Sequence, residues 1–206
     1  ILIKLFISGG IVMWPLLVIS IISLACIFER LLFWLNLKKE NNLLQNYILE
    51  NYENQRNSKI FIEKLKSKEQ NPYAKLTIDL LKFEIENLQE FNQLTESLLS
   101  NIENNLNKYG TIFNLTINIS PLLGLLGTVL GLMNSFNFID IGNVGTNAKE
   151  VTGGISEALV TTAYGLMIAI FTIVFLSCFN SFRNNEMLLI ENFSLKLRAF
   201  YFKNLR

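Results

Sequence analysis

The amino-acid sequence predicts an all-α integral membrane protein with three transmembrane helices, of which the second and third extend into a cytoplasmic helical bundle. Three observations support this fold class: three long apolar stretches, charges confined mainly to one region, and helical periodicity in that region. Of the 206 residues, 50% are hydrophobic and 17% are charged, against about 25% charged residues in soluble domains. Of the 17 acidic and 18 basic residues, 12 and 11 lie between Glu29 and Lys108.

Each apolar stretch is long enough to cross a bilayer, which takes about 20 helical residues. The predicted transmembrane segments TM1, TM2 and TM3 are residues 11–35, 112–138 and 155–179. Lys and Arg concentrate in the two remaining long segments, so the positive-inside rule places these in the cytoplasm. They are the helical region 36–111 and the C-terminal helix 180–206. Residues 1–10 and 139–154 are expected to be a short N-terminus and a short loop on the outer side.

Helical periodicity is strongest just before TM2. Apolar residues recur there at steps of three and four: Leu88, Phe91, Leu94, Leu98, Ile102, Leu106, Tyr109 and Phe113. This spacing predicts one continuous amphipathic helix that runs directly into TM2. Upstream, Asn71-Pro72 predicts a break, and residues 37–68 are expected to form shorter helices and a flexible connection. After Phe179, a similar pattern predicts that an amphipathic helix continues TM3.

The composition excludes several classes of site. The chain has no histidine, which removes catalytic His triads and His-ligated metals. Its two cysteines, Cys26 and Cys178, lie far apart in apolar stretches, so they form no CxxC motif. The net charge of +1 gives no electrostatic case for nucleic acid. We therefore expect no enzyme activity, no cofactor, no metal and no nucleic-acid partner.

TM2 carries a stripe of small and hydroxyl-bearing residues on one helix face. At 100° per residue, these fall within about 80° of one another: Pro121, Gly124, Thr128, Gly131 and Ser135. Gly127 and Gly131 also form a GxxxG step, which lets two helix backbones approach closely. The stripe is compatible with close helix packing, with a pore-lining face, or with both.

TM3 begins with a carboxylate and a hydroxyl on the same helix face. Glu157 and Thr161 are four residues apart, which is about 6 Å along a helix axis. Glu157 is also the only acid that borders the apolar parts of TM2 or TM3. It is either a first-turn carboxylate that the helix dipole favours or an ionisable group at the mouth of a water-filled path.

Two long motifs resemble the ExbB/TolQ/MotA proton-channel family, in particular its ExbB/TolQ branch. They are SPLLGLLGTVLGLMNSF at residues 120–136 and ISEALVTTAYGL at residues 155–166. The segment GGIVMWPLL at residues 9–17 is similar to the start of ExbB-like proteins. Both motifs lie at the places that the deduced topology assigns to TM2 and TM3.

The resemblance implies a homo-oligomeric ring, typically a pentamer, in the bacterial inner (cytoplasmic) membrane, with a periplasmic N-terminus and a cytoplasmic C-terminus. TM2 and TM3 would line a pore that holds an ExbD/TolR-like single-span partner, and membrane lipid would surround the ring. By motif match, Glu157, Thr161 and Thr128 take the positions of the family's proton pathway. Tyr164 and the small residues of TM2 would line the pore or pack beside it.

The implied function is that of an ExbB-like proton-conducting subunit in an energy-transducing motor. It would couple the proton-motive force to a periplasmic TonB/TolA-like protein for TonB-dependent uptake across the outer membrane. A TolQ-like role in envelope integrity and cell division is one alternative. A non-conducting membrane scaffold whose long helices dock cytoplasmic proteins is another.

Overall fold

A computed structural model of the chain describes residues 9–55, 58–83, 85–137 and 148–203. In these ranges all regular secondary structure is α-helical. The helices are α1 (Met13–Gln55), α2 (Lys59–Lys66), α3 (Pro72–Leu81), α4 (Leu88–Leu106), α5 (Gly110–Asn137) and α6 (Ala148–Lys203).

Three of these helices are long and apolar enough to cross a membrane. The segments that meet this criterion are Met13–Asn41, Gly110–Phe136 and Val151–Phe202. Large apolar side chains on α5 and α6, such as Leu122 and Leu159, are exposed, as expected of surfaces that contact lipid or another protein. The prediction of an all-α integral membrane protein with three transmembrane helices is confirmed.

The described residues divide into two compact units. The first unit comprises the described parts of Ile1–Glu29 and Tyr109–Cys178, and the second those of Arg30–Lys108 and Phe179–Arg206. The first unit therefore contains the start of α1, all of α5 and most of α6. The second contains the rest of α1 and α6 together with α2, α3 and α4.

In the first unit, the start of α1 packs against both α5 and α6. Val12, Met13 and Leu16 form a buried cluster in contact with four apolar residues of those helices: Leu123, Leu130, Tyr164 and Ile168. Farther along, Ser23 Oγ and Thr172 Oγ1 lie 3.1 Å apart in a buried hydrogen bond. Apolar contact and this hydrogen bond together hold α1 against α6.

In the second unit, α3 packs against α2 and α4 around an aromatic and aliphatic core. Its buried members include Phe61, Leu65, Leu76, Leu80, Phe91, Ile190 and Leu197. Tyr73 of α3 contacts Phe193 of α6 edge to face, with ring centroids 5.1 Å apart. Burial of this many large side chains is what stabilises helices as short as α2 and α3.

A small polar cluster lies within the second unit. Asn41 Nδ2 and the Tyr73 hydroxyl both donate to Glu186 Oε1, at 2.6 and 2.8 Å. Asn71 Nδ2 donates to Asn41 Oδ1 at 3.0 Å. Burial, and then the hydrogen bond to Glu186, raise the pKa of the Tyr73 phenol well above its usual range. The phenol is therefore a protonated donor throughout the physiological pH range.

α1 continues as one helix to Gln55, so the prediction of shorter helices is wrong for the first half of residues 37–68. Its buried residues in this part recur at steps of three and four: Trp34, Leu37, Asn41, Leu44, Ile48 and Tyr52. Such a stripe gives the helix a face to pack. Packing outweighs the low helix propensity of Asn, which is at most about 0.7 kcal/mol per residue.

The helix predicted to enter TM2 without a break is interrupted, so that prediction is wrong. α4 ends at Leu106, α5 begins at Gly110, and Tyr109 between them has a φ of +68°. Asn107 caps α4, and its side-chain oxygen accepts a hydrogen bond of 2.7 Å from Arg183 Nη1. Helices commonly end at Asn or at a residue in the left-handed backbone conformation. The Asn-rich stretch before Gly110 therefore contained a signal for the end of α4.

Two other predicted features are confirmed. α3 begins at Pro72, directly after its cap residue Asn71, whose side-chain oxygen accepts a 3.0 Å hydrogen bond from the Tyr73 N–H. α6 extends without interruption from Ala148 to Lys203, so the C-terminal helix does continue TM3.

Some predicted segments fall partly outside the described residues. These are residues 1–8 of the N-terminal segment, residues 138–147 at the end of TM2 and in the following loop, and residues 204–206 at the end of the C-terminal helix.

Candidate functional site

The third and fourth turns of α6, which begins at Ala148, hold the carboxylate and hydroxyl that the sequence singled out. Thr161 is fully buried, and Glu157 is partly exposed. Thr161 Oγ1 lies 2.8 Å from the Glu157 backbone oxygen and 2.9 Å from the Gly9 backbone oxygen. Its single proton can be donated to either oxygen, and the hydroxyl remains able to accept a further hydrogen bond.

The same place contains a turn that the sequence argument did not assign to the site. Gly9 and Gly10 precede α1, and Gly10 has a φ of +67°. A Cβ at Gly10 would overlap Glu157 Oε1 and lie 2.7 Å from Glu157 Cδ. The carboxyl therefore lies directly against the Gly10 backbone. The signal in the sequence was the Gly-Gly pair just before an apolar helix, which favours an unusual backbone conformation or a close approach.

Three glycines of α5 face α6 at close range. A Cβ at Gly124 would lie 3.0 Å from Thr162 Cα. One at Gly127 would lie 2.7 Å from Thr161 Cβ, and one at Gly131 would lie 2.8 Å from the Gly154 backbone oxygen. Helix packing thus accounts for Gly124 and Gly131 of the TM2 stripe and for the GxxxG step of Gly127 and Gly131, because glycine lets the two backbones approach so closely.

Hydroxyls on both helices reinforce this packing. Ser135 Oγ lies 3.0 Å from the Gly131 backbone oxygen of its own helix and 3.2 Å from the Val151 backbone oxygen of α6. Thr162, which the sequence argument did not select, donates to the Gly124 backbone oxygen at 2.8 Å. Interhelical hydrogen bonds of this kind are worth roughly 0.6 kcal/mol in membranes.

The other selected residues lie outside these close contacts. Thr128 is partly exposed, and its hydroxyl donates to the Leu125 backbone oxygen of its own helix at 2.6 Å. Pro121 is partly exposed within α5. Tyr164 is partly buried and packs against the cluster formed by Val12, Met13 and Leu16. Of the three predicted pathway residues, Glu157 and Thr161 come together, while the Thr128 hydroxyl bonds locally.

The site combines one ionisable carboxyl, one buried hydroxyl and several backbone oxygens where the uncharged apolar part of α6 begins. A carboxyl in such a setting can take up and release a proton, and hydroxyls can hold or relay one.

The chain is similar to known biopolymer transport proteins over most of its length. Residues 53–192 match the MotA/TolQ/ExbB proton channel family. The biopolymer transport protein ExbB-like 3 of Synechocystis sp. is 39% identical over 195 residues, which cover 94% of this chain and 92% of that protein. ExbB-like 1 of the same organism is 31% identical over 191 residues, or 88% of this chain and 72% of that protein.

A shorter match extends the similarity to a protein named ExbB. The biopolymer transport protein ExbB of Helicobacter pylori is 38% identical over 90 residues, which cover 44% of this chain and 59% of that protein. Three apolar spans, a family match over more than half of the chain and a relative that is matched over 92% of its length agree with one another. The chain therefore belongs to the MotA/TolQ/ExbB proton channel family.

Proposed function

We propose that this protein is an ExbB-like proton-conducting subunit of an energy-transducing motor in the bacterial inner membrane. In this role it couples the proton-motive force to a TonB-like periplasmic protein for uptake across the outer membrane. Family membership, a near full-length relative with an ExbB-like name and a second such relative matched over 72% of its length support the proposal. The observation that carries it is the pair of Glu157 and Thr161 at the start of an otherwise uncharged apolar segment.

Glu157 is the group that takes up and releases the proton in this proposal. It is the one acid at the border of residues 158–179, the uncharged apolar part of α6. Ionisable residues next to apolar helices are energetically costly, and those that occur there usually have a function. Thr161 supplies a buried hydroxyl one turn farther along the helix. Thr128, partly exposed on α5, presents a further hydroxyl toward the proton path.

The assembly that this function requires is a homo-oligomer, proposed to be a pentamer. An ExbD/TolR-like single-span subunit occupies the pore and contributes the carboxylate that this chain lacks deep inside its spans. The N-terminus is periplasmic and the C-terminus cytoplasmic, since Lys and Arg concentrate in residues 36–111 and 180–206. The apolar side chains exposed on α5 and α6 are available to neighbouring copies, to the partner and to lipid.

The decisive experiment measures proton flux into liposomes that contain this protein together with its single-span partner. A pH-sensitive dye inside the vesicles reports flux after a membrane potential is applied. Glu157→Gln is expected to abolish partner-dependent flux, whereas Glu191→Gln, which neutralises an exposed carboxylate of the same helix, should not change it.

The hydroxyls are tested in the same assay with a matched pair. Thr128→Val is expected to lower flux, and Thr116→Val is the control. Both hydroxyls donate within α5, to the backbone oxygens of Leu125 and Ile112. Equal flux in all four variants, with the oligomer intact, would overturn the proposed pathway.

Two outcomes would favour the alternatives. If the wild-type complex conducts no more than empty vesicles, while removal of α4 abolishes binding of cytoplasmic proteins, the chain is a scaffold. If it restores detergent resistance to cells lacking TolQ, but not iron-limited growth to cells lacking ExbB, the TolQ-like role is correct.

A further inference from the structure

The Gly9-Gly10 turn lies against Glu157, and nothing in the proton pathway described above uses it. We infer that Gly10 is a positioning residue, which holds the Glu157 carboxyl in the orientation it needs at the mouth of the pathway. This inference rests on the proposed function, because it assigns a role to the turn that contacts Glu157, the proposed proton carrier.

Contact between the turn and the carboxyl is unusually close. A Cβ built on Gly10 would overlap Glu157 Oε1 and would lie 2.7 Å from Cδ and 3.3 Å from Cγ. The end of the Glu157 carboxyl group thus occupies the space that the Cβ of any other residue at position 10 would fill. The carboxyl can adopt this rotamer only because position 10 has no side chain.

The backbone conformation at Gly10 also favours glycine, independently of the contact with Glu157. Its φ of +67° is in the left-handed region, which is strained for a residue with a Cβ. The Gly10 carbonyl accepts a hydrogen bond from the Met13 N–H at 3.2 Å at the start of α1. Gly10 is therefore required both for the turn and for the space above it.

The turn is anchored on both sides, so it is a fixed surface for the carboxyl. On one side, the Gly9 backbone oxygen lies 2.9 Å from Thr161 Oγ1. On the other, Val12, Met13 and Leu16 are buried in the cluster with α5 and α6. A turn held at both ends restricts the rotamers of the side chain beneath it.

The same hydroxyl links the turn to the proposed pathway. Thr161 Oγ1 lies within hydrogen-bond distance of both Gly9 and the Glu157 backbone. The hydroxyl has a single proton, so when it donates to one of these oxygens it cannot donate to the other. The turn thereby influences the two pathway groups together, the carboxyl by contact and the hydroxyl by hydrogen bonding.

The test substitutes alanine at two glycines near Glu157. Gly10→Ala introduces the overlapping Cβ, whereas Gly153→Ala adds a Cβ that meets, among the described residues, no atom within 4 Å beyond the adjoining backbone of its own helix. Partner-dependent proton flux should fall roughly ten- to a hundredfold in Gly10→Ala and stay at the wild-type level in Gly153→Ala. Equal flux in both variants would overturn the inference.

A second readout does not depend on proton conduction. An apolar carbodiimide modifies protonated carboxyls, and mass spectrometry of the peptide that contains Glu157 gives the rate of modification. Gly10→Ala should raise this rate roughly threefold to tenfold, because the carboxyl is displaced from its rotamer under the turn. If the wild-type complex conducts no protons but this shift is found, the proposed function fails while the contact stands. If flux is present but the rate is unchanged, the positioning role fails.

Rescue distinguishes positioning from a general loss of structure. Glu157→Asp shortens the side chain by one methylene and draws the carboxyl away from position 10. The relative loss of flux caused by Gly10→Ala should be smaller in this background than with Glu157 present. An equal loss in both backgrounds would overturn the inference. Should Gly10→Ala fail to assemble, Gly10→Asn tolerates the positive φ better, keeps the Cβ and should raise the modification rate in the same way.

Discussion

The geometry of the polar cluster in the second unit predicts how much substitutions of Glu186 change the free energy of unfolding. Its Oε1 accepts hydrogen bonds from Asn41 Nδ2 and from the Tyr73 hydroxyl. Glu186→Ala removes the acceptor of both donors, whereas Glu186→Gln keeps a side-chain oxygen in the same place. The two substitutions therefore separate loss of the hydrogen bonds from loss of the charge.

The expected cost follows from the burial of the two donors. Tyr73 is 0% and Asn41 is 6% exposed, so water has little access to either. A buried donor left without an acceptor costs about 1–3 kcal/mol. Glu186→Ala should lower the free energy of unfolding by about 2–4 kcal/mol, because Asn41 can recover part of its loss by rotating. Glu186→Gln should change it by less than about 1 kcal/mol.

Thermal unfolding of the purified full chain in detergent measures the difference. Using about 2–4 °C per kcal/mol for a chain of this size, Glu186→Ala should lower the midpoint by roughly 4–16 °C. Glu191→Ala, which removes an exposed carboxylate from the same helix, is the control and should have little effect. An equal loss in Glu186→Ala and Glu186→Gln would refute the hydrogen-bond argument, since charge would then be the cause.

Two further predictions concern packing and pH. Gly131→Ala should lower stability by about 1–3 kcal/mol, because its Cβ would lie 2.8 Å from the Gly154 backbone oxygen. The same melt with Gly153→Ala should not be lowered, because this Cβ meets no atom of the described residues within 4 Å beyond its own helix and Ala favours a helix over Gly. Equal melts would contradict the close approach of α5 and α6. The raised pKa of Tyr73 contributes stability that is fully present below the ordinary phenol pKa of about 10 and is lost as the pH rises through the folded value. Midpoints measured between pH 8 and pH 11 should therefore fall less steeply in Tyr73→Phe than in the wild type, and parallel curves would refute this assignment.

Features that depend on local patterns were readable in the sequence. The three apolar segments follow from length and hydropathy, and the start of α3 follows from an Asn cap and a Pro in the first turn. Even where the prediction was wrong, the signal was present. The buried stripe from Trp34 to Tyr52 has helical spacing, and the packing of this stripe outweighs the Asn-rich composition of the segment.

The candidate site was readable only in part. Four-residue spacing placed Glu157 beside Thr161 on one helix, and the structure has both at that place. The contribution of Gly9 and Gly10 could not be derived from spacing, because they lie about 150 residues away in the chain. Likewise, the glycines of α5 indicated close packing, but not which residues of α6 they approach.

By itself, the sequence determined that this is a three-span helical membrane protein of the MotA/TolQ/ExbB family, and it identified Glu157 as the acid to examine. Hydropathy and helical periodicity are local properties, so they can be read from the sequence without knowledge of the fold. Only the tertiary structure decided that the Gly9-Gly10 turn lies on the Glu157 carboxyl and that Glu186 binds Asn41 and Tyr73. Those contacts depend on how helices distant in the chain pack, and this arrangement is set by the summed burial of many side chains rather than by any single motif.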